Sequence, residues 1–360
     1  MKTLKNKQTR VLLSTIVILT VGWFAVPHAG QEDANDGFIL FTTDRDNPSP
    51  QGMCNPPQCE DIYVMKPDGT TEPDRLTRGA GAPDDPAAYS SGGADWSHSK
   101  KLIAFQSNRV DHVPQIYLMN LDGTEQQLLV SLPGGAAFPS FSQSGNELCF
   151  HGQALPKDIY VVNVHGTGLT NLTAALRVPQ QPGQPPLLTG DNIRCDWSPK
   201  ANAIAFTNGP NGGQDIYVID ADGTDLRRLT TANGSDANPA FSPRGDLIAF
   251  ESNRDSTLEM SSPQIYVMNT DGTGDARRLT TFPAEPRLIN GLTNNVSVSK
   301  PTWSPAGDRI AFHRRPGGGH FEIYTMDADG GNVSLTFTTP SPGFSGFPSW
   351  GKWSADSVRQ

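Results

Sequence analysis

The sequence is short of positive charge. Its 28 Lys and Arg face 37 Asp and Glu, a formal net charge of −9 over 360 residues. Grip on a phosphate backbone needs clustered cations, so the balance argues against a nucleic-acid partner. The apolar stretch Val11 to Val26, broken by Ser14, Thr15, Thr20 and Gly22, falls short of the about 20 residues of a comfortable membrane span. No Cys adjoins it to accept a lipid. A Gly-x-Ser-x-Gly nucleophile elbow is also missing, because Gly343-Phe344-Ser345-Gly346 lacks the final glycine at the right spacing. Gly and Pro, in contrast, are plentiful at 36 and 30, though together below the roughly 25–30% that marks low-complexity disorder. Pro removes a backbone donor and Gly weakens element interiors, so this composition disfavours helices and suits short strands joined by turns.

Residues 1–30 stand apart. Lys2, Lys5, Lys7 and Arg10 form a basic segment ahead of the apolar stretch, the shape of a signal peptide, with an uncleaved N-terminal membrane anchor as the alternative. Ala29 is placed for cleavage, although Pro27 then occupies a position where a small residue is preferred. Export to the periplasm, the cell surface or the medium is the expectation.

From residue 37 onward the chain repeats itself. An Ile-Tyr pair recurs at Ile62, Ile116, Ile159, Ile216, Ile265 and Ile323, each followed at the same distance by a turn dipeptide: Asp68-Gly69, Asp122-Gly123, His165-Gly166, Asp222-Gly223, Asp271-Gly272 and Asp329-Gly330. Asp-Gly between strand-like runs predicts a hairpin, of type I′ if both central residues take positive φ. Upstream lie apolar runs such as Ile204-Ala205-Phe206 and Ile310-Ala311-Phe312, and before them an aromatic-Ser pair (Trp96-Ser97, Phe141-Ser142, Trp197-Ser198, Phe241-Ser242, Trp303-Ser304). Each unit therefore predicts four short strands, A to D, ending near a Leu-Thr such as Leu76-Thr77, Leu229-Thr230 or Leu279-Thr280. Such a unit cannot bury both its faces alone and must stack on neighbours. Radial stacking of six units predicts an all-β, six-bladed β-propeller of four-stranded antiparallel blades over residues 37–353, with 354–360 as a C-terminal tail. The first unit starts at a strand B, Phe38 to Phe41, and the chain ends on an unattached strand A, Phe347-Pro348-Ser349-Trp350. The two ends are expected to complete one blade and lock the ring.

Strand direction sorts the connections. A–B and C–D turns share one face, while B–C loops and D–A linkers share the other. The first set is short and uniform. The second carries the insertions, including 47–60 and 255–263 in B–C loops and the long D–A linkers after units one, three and five. Variable loops on a rigid scaffold are where binding usually resides, so the loop-rich face is the predicted binding face.

The strings Trp303-Ser304-Pro305-Ala306-Gly307-Asp308, Ser252-Asn253-Arg254-Asp255, Ile265-Tyr266-Val267-Met268 and Asp271-Gly272-Thr273 resemble the repeat of the TolB-like β-propeller family, a WD-like propeller repeat. The resemblance covers nearly all of residues 37–353 and implies the propeller fold. In TolB an α/β domain precedes the propeller, and residues 30 to 37 leave no room for one. Prolyl-oligopeptidase-type enzymes join related propellers to a hydrolase domain, whereas this sequence ends on the last propeller strand.

Candidate site residues are few. Arg45, Arg109 and Arg254 recur in register in the B–C loops, with Arg314 or Arg315 near the equivalent point, predicting structural ion pairs or loop hydrogen bonds, with an anion-binding rim as the functional alternative. Asp95 and Asp196 precede the strand-A Trp in units two and four and are assigned with them to the loop-rich binding face. His151 and His313 follow strand B where the other units have Thr42, Gln106, Thr207 and Glu251. Standing on opposite blades, they are read as satisfied or solvated rather than as a shared metal site. Asp220-Ala221-Asp222-Gly223 and Asp327-Ala328-Asp329-Gly330 resemble the start of a calcium loop but lack its later ligands. Hairpin chemistry explains them, so no cofactor or metal is expected, with calcium as the lesser alternative. The strand-A aromatics, fixed in every unit, are read as inter-blade core rather than sugar-stacking platforms. Cys54 and Cys59 bracket an inserted loop and are predicted to pair. Cys149 is read as a small core residue in place of the usual Ala, with a bridge to Cys195 as the lesser alternative. The resulting expectation is an exported, non-enzymatic propeller that binds a protein or cell-envelope component through its loop-rich face. The competing expectation is a carbohydrate-active lyase or hydrolase with its site at the channel mouth.

Overall fold

Strand B of every repeat is a tripeptide buried on both sides, which no isolated sheet could achieve. Ile103, Ala104 and Phe105 are fully buried, as are Ile204-Ala205-Phe206, Ile248-Ala249-Phe250 and Ile310-Ala311-Phe312. Alternation along a strand sends the outer two side chains one way and the middle one the other. Thus Ile103 and Phe105 pack with Leu40, Ile62 and Val64 of the preceding repeat, while Ala104 packs with Phe141, Leu148 and Phe150 of the next.

In the computed structural model the described residues lie between 37 and 352, apart from 47–59, 80–88, 98, 182, 211, 256–261, 283–287, 290–291, 294–296, 317–320 and 339–343. They form six four-stranded antiparallel blades arranged as a propeller. In A–B–C–D order, blade 1 is Ser345–Gly351, Phe38–Thr43, Asp61–Met65 and Asp74–Arg75. Blade 2 is Ser91–Trp96, Leu102–Ser107, Gln115–Asn120 and Gln127–Val130; blade 3 is Ala136–Phe141, Glu147–Gly152, Ile159–Asn163 and Thr170–Asn171. Blade 4 is Asp191–Trp197, Ala203–Gly209, Asp215–Asp220 and Arg227–Arg228; blade 5 is Asp236–Phe241, Leu247–Ser252, Gln264–Asn269 and Arg277–Arg278. Blade 6 is Ser297–Trp303, Arg309–Arg315, Glu322–Asp327 and Ser334–Phe337. The long linkers of blades 3 and 5 add a 3₁₀ turn at Ala174–Arg177 and a two-stranded hairpin of Leu288–Ile289 and Leu292–Thr293.

The strand-A aromatics are core. Trp96, Phe141, Trp197, Phe241, Trp303 and Trp350 are all buried, each clustered with the middle strand-B residue of the preceding blade: Leu40, Ala104, Cys149, Ala205, Ala249 and Ala311. That residue is small in five of six blades because the neighbour's ring lies over it. Leu-Thr has its own role. Thr77, Thr173, Thr230 and Thr280 each accept a hydrogen bond from the strand-C Ile amide (Ile62, Ile159, Ile216, Ile265) at 2.9–3.0 Å, holding strand D against strand C.

Two expectations are corrected. The C–D hairpins are not type I′, because only the glycine has positive φ, as at Gly123 (φ 82°) and Gly223 (φ 87°), and no Asp of the turn does. Asn120 accepts from Gly123 N and donates to Thr124 O, a type I turn closed by a left-handed glycine. The Asp side chain caps it: Asp122 Oδ1 accepts from Thr124 N and Oγ1, and Asp222 and Asp271 do the same with Thr224 and Thr273. These bonds to the carboxylate lower the pKa of all three. The second correction is Cys149, which is not a free core thiol but is bonded to Cys195. The middle position of strand B faces the next blade, and Cys195 lies on that blade's strand A, so the bridge ties blades 3 and 4 with Cα atoms 6.4 Å apart. Cys54 and Cys59 lie outside the described residues, as do residues 1–30 and 354–360.

The ring closes as expected. Strand A from the C-terminus pairs antiparallel with strand B from the N-terminal end, Ile39 opposite Trp350 and Thr43 opposite Ser345. Two predictions follow from these joints. Truncating Trp350→Ala should cost about 3–5 kcal/mol, and deleting 346–360 should lower the melting temperature further; an unchanged melt of the deletion would refute the closure. The Cys149→Ala/Cys195→Ala double variant should lose up to about 4 kcal/mol by the chain-entropy estimate for a loop of this length, and non-reducing peptide mapping should find the two cysteines linked.

Candidate functional site

The innermost strands wall a central channel, and each bulges at one register. The pairing with strand B shifts between Gly92 and Asp95, Ala137 and Ser140, Ile193 and Asp196, Ala237 and Ala240, and Ser299 and Thr302, with an equivalent shift in blade 1. The bulged residue takes positive φ in every blade: Gly93, Phe138, Arg194, Asn238, Lys300 and Phe347, at 53–59°. Left-handed backbone is costly for a non-glycine residue, on the order of 1–2 kcal/mol, so something must hold it there. The preceding blade does. Thr42 Oγ1, Gln106 Oε1, His151 Nδ1, Thr207 Oγ1 and His313 Nδ1 accept from the amides of Gly93, Phe138, Arg194, Asn238 and Phe347 at 3.1–3.3 Å. In the sixth joint Glu251 accepts from Ser299 Oγ.

This arrangement accounts for His151 and His313. Both are buried and use Nδ1 as an acceptor, which requires the neutral ring. Burial is the main cause that pushes His313 down to about 3 and His151 well below its usual value, with the cations Arg194 and Lys300 adding to it. Among the described residues no three His, Cys, Asp or Glu side chains come within reach of one metal ion.

Asp95 and Asp196 do not belong to the loop-rich face. Each lies one residue before the aromatic that ends strand A, toward the A–B turns. Asp95 accepts from Phe141 N at 2.9 Å and Ser349 Oγ at 2.9 Å. Asp196 accepts from Phe241 N at 2.7 Å and Ser140 Oγ at 3.3 Å. Both thus cross to the next blade's strand A, as Ser140 and Thr302 do by accepting from Trp197 N and Trp350 N. Desolvation, with help from the Asp95 charge, pushes the Asp196 carboxyl up to about 7.

The arginines sit elsewhere, each over the strand-C Tyr of its own blade. Arg254 pairs with Asp236 at 2.8 Å and lies over Phe250 and Tyr266. Arg109 bonds Gln126 at 2.9 Å and lies over Tyr89 and Tyr117. Arg45 pairs with Glu72 at 2.9 Å and lies over Tyr63 and Phe337. Arg314 lies over Phe282 and Tyr324. The recurring guanidinium therefore covers the Tyr of the Ile-Tyr pair. The five residues proposed from sequence form no single site.

Sequence reading missed the constellation that does converge. Four of the bulged side chains meet in the channel. Arg194 stacks on Phe138 with its Cζ 3.2 Å from the ring centroid and is 5.5 Å from that of Phe347. Lys300 Nζ lies 4.9 and 5.8 Å from the same two rings, which are themselves 5.2 Å apart. Gly93 permits this approach, since a Cβ there would sit 2.9 Å from the Phe138 ring. Burial lowers Arg194 to about 9 and Lys300 well below its usual value, and the Glu251 carboxylate partly offsets both. The signal was available in the sequence as the residue three before each strand-A aromatic. A chamber of 120 Å³ borders this cluster, and a cavity of 380 Å³ adjoins it toward the A–B turns. The two share the ring Asp95, Ser140, Asp196, Ala240, Thr302 and Ser349.

Comparison with known proteins fits this geometry. Residues 187–349 match the TolB beta propeller domain family. The chain is 31% identical over 179 residues to a TolB homolog of Chlorobium luteolum and 30% identical over 152 residues to one of Chlorobium chlorochromatii, covering 49% and 42% of this chain. The matches span about a third of those relatives' own lengths, 35% and 31%. The crystal structure of TolB from Acinetobacter baumannii superposes with a TM-score of 0.64 at 21% identity, covering 89% of this chain and 68% of that one.

The buried histidines set a pH dependence. A ring held neutral in the fold but free to protonate above pH 6 when unfolded removes stability as pH falls from 6.5 toward 3. The loss is about 1.4 kcal/mol per pH unit for one such group. His313→Asn keeps an acceptor near the Nδ1 position without the titration, so between pH 6.5 and 5 it should lose about 2 kcal/mol less than the wild type in denaturant melts. Parallel losses would remove His313 from this account.

Proposed function

We propose that this TolB-like propeller protein is exported and acts by binding a protein or cell-envelope component, without catalysis, through the face formed by its B–C loops and D–A linkers. The contrast between its two faces carries this reading. The C–D turns repeat one Asp-capped geometry, whereas the 3₁₀ turn Ala174–Arg177 and the Leu288–Thr293 hairpin occur in D–A linkers of the opposite face. Exposed apolar side chains there, Leu155 at 78% and Val178 at 58%, offer contact area to a partner. Export is supported by the leader-like residues 1–30 and by the disulfide between blades 3 and 4, a bond that persists in oxidising compartments. The enzymatic reading draws on the 380 Å³ cavity and on the Asp196 carboxyl near neutrality. The oxygens of Asp95 and Asp196, however, hold neighbouring blades together, which favours a structural role for both.

The deciding experiment is a pull-down from envelope and medium fractions with the propeller, repeated after short linkers replace 178–192 and 283–299. The expected outcome is a specific partner that both replacements release while the melting temperature holds. Retention of the partner by both replacements would move binding off this face. Depolymerisation of an envelope glycan, lost in Asp196→Asn, would instead favour the enzyme.

A further inference from the structure

We infer that the bulge-level chamber of the channel is a binding site for a small organic monocarboxylate, held by Arg194 and Lys300 beside the rings of Phe138 and Phe347. This inference is independent of which face meets the partner. The cations come from blades 4 and 6 and act with the carboxylate of Glu251, while Asp95 and Asp196 line the chamber on its A–B turn side. Glu251 is also engaged by Ser299 Oγ, and Lys300 Nζ donates to Asn238 Oδ1. Arg194 Nη1 is buried with no hydrogen-bond partner, a condition a guanidinium seldom tolerates away from water.

The unused donor, with the Lys300 ammonium at the same wall, specifies an anion. A planar guanidinium fork suits a carboxylate, and the nearby ammonium adds a second charge-assisted donor. Asp95 and Asp196, which also line the chamber, favour a monoanion over a phosphate, whose second charge would add repulsion. The rings of Phe138 and Phe347 give the walls an apolar character that a bare inorganic ion would not use. The 120 Å³ chamber is smaller than the about 150 Å³ apolar cavity known to hold benzene, so it takes the carboxylate end of a benzoate-sized acid, whose remainder extends into the adjoining cavity. The adjoining 380 Å³ cavity gives the ligand a path from the A–B turn face. Binding would give Arg194 Nη1 the acceptor it lacks.

Titration calorimetry of the full chain with benzoate, benzamide and inorganic phosphate tests the site. Benzoate should bind, and benzamide, equal in size but uncharged, should bind about tenfold or more weakly, the size of a lost charge-assisted bond. Phosphate should bind more weakly than benzoate. Lys300→Met removes a desolvated charge and should fold, yet weaken benzoate by a similar factor; Arg194→Gln gives the same comparison should that variant fail to fold. Absence of benzoate binding, equal affinity for benzamide, preference for phosphate, or unchanged affinity in the folded variant would each overturn the inference, and the first three need only the wild type.

Discussion

The seating of each strand-A aromatic on the middle strand-B residue of the blade before it is the contact from which the ring is built. All six hydrophobic clusters contain residues of two neighbouring blades. A blade taken alone would expose its aromatic with Ile, Phe and Tyr side chains on one side, as Trp96, Ile103, Phe105 and Tyr117, and its middle strand-B residue with the strand-C Ile on the other, as Ala104 and Ile116. Burial is therefore a property of the joint, and a fault at one joint is felt by two blades. The disulfide between blades 3 and 4 occupies this same position, where Cys149 takes the place of Ala beneath Trp197.

Hydrogen bonding follows the same rule at two levels of the channel. At one, a strand-B side chain holds the next blade's bulge, which lets any of Thr, Gln or His do the work and explains why two histidines occur without a metal role. At the other, Asp95, Ser140, Asp196 and Thr302 accept the amide of the next aromatic. Polar residues facing the channel thus read as functional in sequence while serving assembly. Once those are set aside, Arg194 and Lys300 stand out, the first by a buried donor that has no acceptor.

Much of the fold was legible because the repeat is local and periodic. Ile-Tyr, Asp-Gly and the strand-A aromatics each mark a fixed place in the blade, and the offset of the first and last strands gave away the closure. The turn type was misjudged because Asp-Gly is compatible with two hairpin geometries, and the choice depends on Thr124 and its equivalents binding the Asp carboxylate. Cys149–Cys195 was underrated because a sequence does not say which way a strand-B side chain faces. The channel cluster escaped notice for a related reason: Phe138, Arg194, Lys300 and Phe347 are chemically unlike one another, and only the shared bulge, three residues before the aromatic, brings them together.

The closing strand also orders events in time. Asp44 and Phe344 are hydrogen-bonded across 300 positions of sequence, so the first blade lacks its inner strand until nearly the whole chain has been made. During vectorial synthesis the face of Ile39 and Phe41 waits for Ala311, Ile323 and Trp350, which arrive late. A ring closed by so distant a strand stays open until that strand is made, so the closing strand decides when the propeller becomes a rigid body.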